Sequence, residues 1–146
     1  MFLNLIYLIL IIAPISLIVH ELGHAFAAYF LKADKIIVTL GIGKKLKTFK
    51  VKNINIIIHL CLMLNAYTCS ERHNKFTKKE FSIITIMGPV MSLFMSIFFY
   101  YAYAILETEF IFYFFLFNIW LTISNLIPFK IGQRQSDGYV FLKLLK

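Results

Sequence analysis

Charge is nearly absent from three long stretches of this chain, Phe2 to Leu31, Phe81 to Leu106 and Phe110 to Phe129. Each meets or exceeds the roughly 20 apolar residues that a helix needs to cross a hydrocarbon core. With 60% of all residues hydrophobic, this excludes an ordinary water-soluble domain. No basic residue precedes the first stretch and no small-residue cleavage site follows it, so it is expected to be a retained span and not a signal peptide. No internal repeat, low-complexity tract or recognisable regulatory module interrupts the chain. The expectation is a membrane α-helical fold of one domain, residues 1–146, with three spans at about 2–31, 81–106 and 110–129.

Acidic residues are also few, 7 against 15 Lys and Arg. An excess of that sign can mark a nucleic-acid binder, but its placement argues against one here. Between Lys32 and Glu80 there are 11 basic and 3 acidic residues, and from Lys130 onward 4 basic and 1 acidic. The short turn between spans two and three offers only Glu107 and Glu109. Positive loops stay in the cytoplasm, so the expected protein is a multi-pass bacterial cell-membrane protein. Its amino terminus lies outside, and segment 32–80 and tail 130–146 lie inside.

Between spans one and two, Ile36 to Leu40 and Ile54 to Leu64 are apolar and rich in β-branched residues. Gly41, Gly43 and a lysine-rich stretch ending in Lys52-Asn53 separate them. This pattern predicts a small β hairpin or sheet, interfacial or re-entrant, whose backbone must find partners in protein. Ile54 to Leu64 lacks Gly and Pro and is the expected edge strand. Pro14 is expected to bend span one, and Pro128 to end span three.

His20-Glu21-Leu22-Gly23-His24 reads H-E-x-x-H. On a helix, residues four apart share a face about 6 Å along the axis, so both imidazoles can reach one metal. Glu21, on the turn between them, is placed to take a proton from a water activated there. If Lys32 marks the interface, His20 lies about 18 Å inside it. Ionisable groups at such depth are functional by default. A catalytic zinc needs a third protein ligand, and Asp137, the only acidic residue after span three, is the candidate. Gly138 would let the backbone turn sharply there. The alternative for Asp137 is a helix N-cap on the Tyr139 to Leu145 segment.

Taken in order, these motifs resemble the site-2 protease family of intramembrane zinc metalloproteases. The resemblance rests on H-E-x-x-H at His20 to His24, Gly88-Pro89 in the second span, Asn125-Leu126-Ile127-Pro128 and Asp137-Gly138. It implies Zn²⁺ on His20, His24 and Asp137, with Glu21 as catalytic base and Asn125 as a second catalytic group that steadies the oxyanion. It also implies substrate presentation on an edge strand resembling Ile56 to Tyr67. Two departures stand out. Ser92 occupies a place where the family often has Asn, which weakens any role for it, and eight residues separate Pro128 from Asp137.

The implied activity is hydrolysis of a membrane-embedded or membrane-attached peptide, with the lipid bilayer as surroundings. Two other readings compete: a non-catalytic membrane peptide-binding or immunity protein, and a metal transporter or sensor. The latter could draw on His59, Cys61, Cys69 and His73. Those cysteines read more simply as reduced, small buried hydrophobes. The aromatic run Tyr100 to Phe117 reads as lipid-facing and packing surface.

Overall fold

The computed structural model describes residues 2–132 and 134–145. Met1, Gln133 and Lys146, the last of them one of the four basic tail residues, lie outside it. The first apolar stretch is helical from end to end, as α1 (Phe2–Tyr7), a π-helical segment (Leu8–Ile12) and α2 (Ala13–Phe30). Pro14 supplies no N–H to the ladder and its ring would crowd a carbonyl one turn back. The wider turn just before it, in which Ala13 N–H reaches the Leu8 carbonyl, accommodates that ring while the backbone stays helical. α2 closes with Lys32 at φ 57°. Lys32 N–H donates to the Tyr29 carbonyl and Ala33 N–H to that of Ala28, the Schellman pattern that satisfies a helix end.

α3 (Lys78–Leu106) starts at a reciprocal capping box between Thr77 and Glu80, three residues before the apolar stretch begins. After a turn at Glu107, α4 (Glu109–Leu126) follows. It stops three residues short of the expected Phe129, because Ile127, held extended ahead of Pro128, leaves the helical region. α2 together with the turns before it, α3 and α4 are each long and apolar enough to cross a membrane.

β1 (Lys35–Val51) and β2 (Ile54–Glu71) pair as an antiparallel sheet, and both strands are far longer than the apolar runs that predicted them. The lysine-rich stretch belongs to β1, because the strand doubles back on itself. Residues 35–40 pair with 66–71, and 47–51 pair with 54–58 across a turn at Lys52 and Asn53. Residues 36–40 also lie beside 54–58, Ile36 with Ile54 and Leu40 with Ile58. Ile36 N–H donates to the Asn53 carbonyl across this seam. Numbers rise together along it, so that seam runs parallel. The spatial order is therefore 47–51, 54–58, 36–40, 66–71.

This order corrects the expected edge. Ile54 to Ile58 is an interior segment with strand partners on both sides, so its backbone groups are already used. The segments with one strand neighbour are 47–51 and 66–71, and of these 66–71 lies beside α2, its Thr68 within hydrogen-bonding distance of Glu21. The buried alternation of Ile36, Val38 and Leu40 packs on Ala25 and Ala28 of α2 and Ile84 of α3. Small side chains on α2 let the sheet approach the helix that carries H-E-x-x-H.

Candidate active site

His20, Glu21 and His24 lie on one buried face of α2. That face meets α3 at Gly88, where an added Cβ would come within 2.8 Å of His20 Nε2 and closer still to His24. Glycine is needed there because the imidazoles fill the space a side chain would take. One turn along the same face of α3, Ser92 is fully buried, with Oγ 2.9 Å from His20 Nδ1. His24 Nδ1 donates to the Ile84 carbonyl at 2.8 Å. Both rings are thus oriented through the nitrogen facing away from the site, the arrangement of metal-ligating histidines. Ser92, which departs from the Asn of the resemblance, thus has its hydroxyl on the His20 imidazole.

Asp137 opens α5 (Asp137–Leu145). Ser136, not Asp137, caps that helix, its Oγ accepting Tyr139 N–H at 3.2 Å, so the aspartate side chain is free to turn toward α2. The Ser136 hydroxyl also donates to the Ile127 carbonyl at 2.7 Å, tying α5 to the end of α4. A Cβ on Gly138 would collide with the Leu126 carbonyl. Gly138 therefore serves close backbone approach and not the expected sharp turn, since it is absent from the positive-φ glycines among the described residues. The long spacing after Pro128 closes on itself, as β3 (Lys130–Ile131) pairs with β4 (Arg134–Gln135). Ser136 N–H then returns to the Phe129 carbonyl, which brings the chain back beside the end of α4 just before Asp137.

Asp137 Oδ2 lies 3.2 Å from His20 Nε2 and 3.5 Å from His24 Nε2. Burial pushes the Asp137 carboxyl up, but the two imidazoles against it outweigh that and hold it below the usual carboxylate range. A carbonyl can only accept, so His24 must carry its proton on Nδ1. Nε2 of each ring is then the nitrogen on the Asp137 side. Tetrahedral zinc with bonds near 2.0–2.1 Å sets its ligand atoms about 3.3 Å apart; the two separations from Asp137 Oδ2 bracket that value, and all three atoms lie within 4.8 Å of one another. The donor set therefore fits zinc, and among the described residues it is the one group of three such side chains that could hold a metal.

Glu21 is 6% exposed and lines a cavity of about 360 Å³ that also takes in His20, His24, Asp137, Asn125 and residues Ala66–Ser70 of β2. Asn125 faces this cavity while its Nδ2 donates to the Leu121 carbonyl at 2.9 Å, leaving the carbonyl oxygen and one N–H of its amide. Gln135 and Thr68 line the cavity as well. Nothing in the sequence singled them out, since neither belongs to a motif. Ser92 did have a signal: it stands four residues after Gly88 and so shares its helix face.

His59, Cys61, Cys69 and His73 do not converge. They are strung along and just beyond β2, and Cys61 and Cys69 are exposed free thiols, not the expected buried hydrophobes.

Membrane-length helices, a convergent two-histidine and aspartate set, and a carboxylate beside it describe a membrane protein of peptidase type. The sequence profile of peptidase family M50 matches residues 7–108, about 70% of the chain, and the chain belongs to that family, the site-2 proteases. A search of the curated proteins found no significant match. The matched region holds His20 to His24 and Gly88-Pro89 but ends before Asn125 and Asp137. The case for those two residues therefore rests on their position in the fold.

Proposed function

We propose that this protein is a zinc-dependent intramembrane endopeptidase that hydrolyses peptide bonds of a membrane-embedded or membrane-attached peptide. The observation that carries the reading is the convergence of His20 Nε2, His24 Nε2 and Asp137 Oδ2 within 4.8 Å of one another, with Glu21 alongside. His20, His24 and Asp137 would hold the ion, which when bound polarises a carbonyl and makes water a nucleophile near neutral pH. Glu21 takes the proton from that water and returns it to the leaving amine. Asn125, on the same cavity wall, offers its amide N–H to the oxygen that gains charge.

A carbonyl held in a helix is shielded by its own hydrogen bond, so the substrate must be extended when cut. Residues 66–71, with one strand neighbour and a place on the cavity wall, suit pairing with an extended peptide. The basic segment 32–80 and the tail are assigned to the cytoplasmic side, which puts the cavity mouth on the inner side of the membrane.

The test is to purify the protein in detergent, count zinc, and compare cleavage of a co-expressed membrane peptide by wild type and Glu21→Gln. Cleavage by wild type alone, with about one zinc in each protein, supports the reading. Zinc-loaded wild type that cuts no membrane peptide would remove it.

A further inference from the structure

The general base is held by a residue from the opposite wall of its own cavity. Glu21 sits on α2, and 47 residues later Thr68 sits on the outer segment of β2. The Thr68 hydroxyl lies 2.7 Å from Glu21 Oε2 and 3.1 Å from the Glu21 backbone carbonyl. A hydroxyl has one proton to give, and the shorter and better contact is the one to the Glu21 carboxyl oxygen. Among the described residues no other side chain donates to this carboxylate.

We propose that Thr68 is a positioning residue for the proposed hydrolysis: it clamps Oε2 of Glu21 and leaves Oε1 free for the water that must lose its proton. This rests on the assignment of Glu21 as base. A glutamate has three side-chain torsions, and an unheld carboxylate beside two imidazoles would divide its time among rotamers. Misplacing a catalytic group by about 1 Å can cost on the order of 100-fold in rate.

The strand places the clamp. Ala66, Thr68 and Ser70 are half-buried while Tyr67 and Cys69 are exposed, so period-two alternation turns the Thr68 side chain toward α2. Its backbone meanwhile remains in the segment that has a free edge. One residue therefore joins the substrate-facing strand to the base. Removing the hydroxyl alone separates the two duties, because the backbone edge survives the change.

Thr68→Val keeps the β-branched shape and removes the donor, and Thr68→Ser keeps the donor. The expected result for Thr68→Val is a kcat lower by roughly 10- to 100-fold, with KM within about twofold and about one zinc per chain. Thr68→Ser should restore most of the rate. Unchanged kcat in zinc-loaded Thr68→Val would overturn the proposal. So would an equal loss in Thr68→Ser, which points to packing.

A second measurement needs no turnover: the Tm of wild type, Thr68→Val, Glu21→Ala and the double variant. Thr68→Val should lower Tm by on the order of 3 °C when Glu21 is present, and by less than about 1 °C when it is absent. Equal shifts in both backgrounds would overturn the clamp. A wild type that loads zinc but cleaves nothing removes the proteolytic reading, and the Tm cycle then decides whether Thr68 holds Glu21.

Discussion

Asp137 Oδ2 stands 3.2 Å from the Nε2 of His20, a residue 117 positions earlier in the chain. That carboxylate, this imidazole and a second imidazole at 3.5 Å are the donor set proposed to hold zinc. The first prediction separates ligands from base. His20→Ala, His24→Ala and Asp137→Ala should each reduce zinc well below one per chain, whereas Glu21→Gln should keep about one zinc and lose at least ~100-fold in cleavage rate. Metal analysis and a cleavage assay on the same preparations check this. Full zinc in Asp137→Ala would remove Asp137 from the ligand set.

Stripping the metal with a chelator should abolish cleavage, and added Zn²⁺ should restore it. Recovery must fail in Asp137→Ala at zinc levels that suffice for wild type, since the remaining two imidazoles cannot complete a closed ligand set.

Ser92 orients His20 from behind. Ser92→Ala should weaken zinc binding by roughly 10- to 100-fold, the usual effect of losing such a partner, without unfolding the helices. Competition against a chromophoric chelator measures it. Gly88→Ala should be more severe, because its methyl group would occupy the space of both rings.

The free side of residues 66–71 predicts a two-residue period in a proline scan. Proline at Ala66 and Ser70, or else at Tyr67 and Cys69, should block cleavage while zinc and membrane level persist. The other pair should damage pairing with residues 35–40. Proline at Ile56 or Ile57 should disrupt the sheet itself, since that segment has strands on both sides. Normal cleavage by every zinc-loaded variant at 66–70 would remove the edge from substrate binding.

The charge distribution predicts which side each loop faces. On a background lacking Cys61 and Cys69, single cysteines at residues 107–109 should react with an impermeant reagent from outside, and a cysteine replacing Lys47 should react only after the inner face is opened. Outside labelling at position 47 would reverse the orientation.

Much of this architecture is written in local composition. Three apolar stretches became three membrane-length helices because a helix is the way to satisfy every backbone group within one segment. Their ends moved by only a few residues, for reasons of capping at Thr77 and of Pro128 acting on Ile127. H-E-x-x-H was legible because helical periodicity alone puts His20 and His24 on one face, whatever packs against them.

What composition could not decide was anything that depends on long-range pairing. The apolar run at Ile54 looked like an edge because its donors are intact, yet the doubling back of β1 covers both of its sides and leaves 47–51 and 66–71 as the outer segments. Ser136 takes the capping duty that Asp137 could have had, and Gly138 admits the Leu126 carbonyl so that the aspartate reaches α2. Thr68 belongs to no motif and Ser92 stands where the resemblance expects Asn, and only the packing of β2 and α3 against α2 brings their hydroxyls to Glu21 and His20. Local sequence therefore determined which groups can do chemistry. Tertiary packing decided which of them meet, because side chains 47, 72 and 117 residues apart are brought together by the surfaces of the elements that carry them.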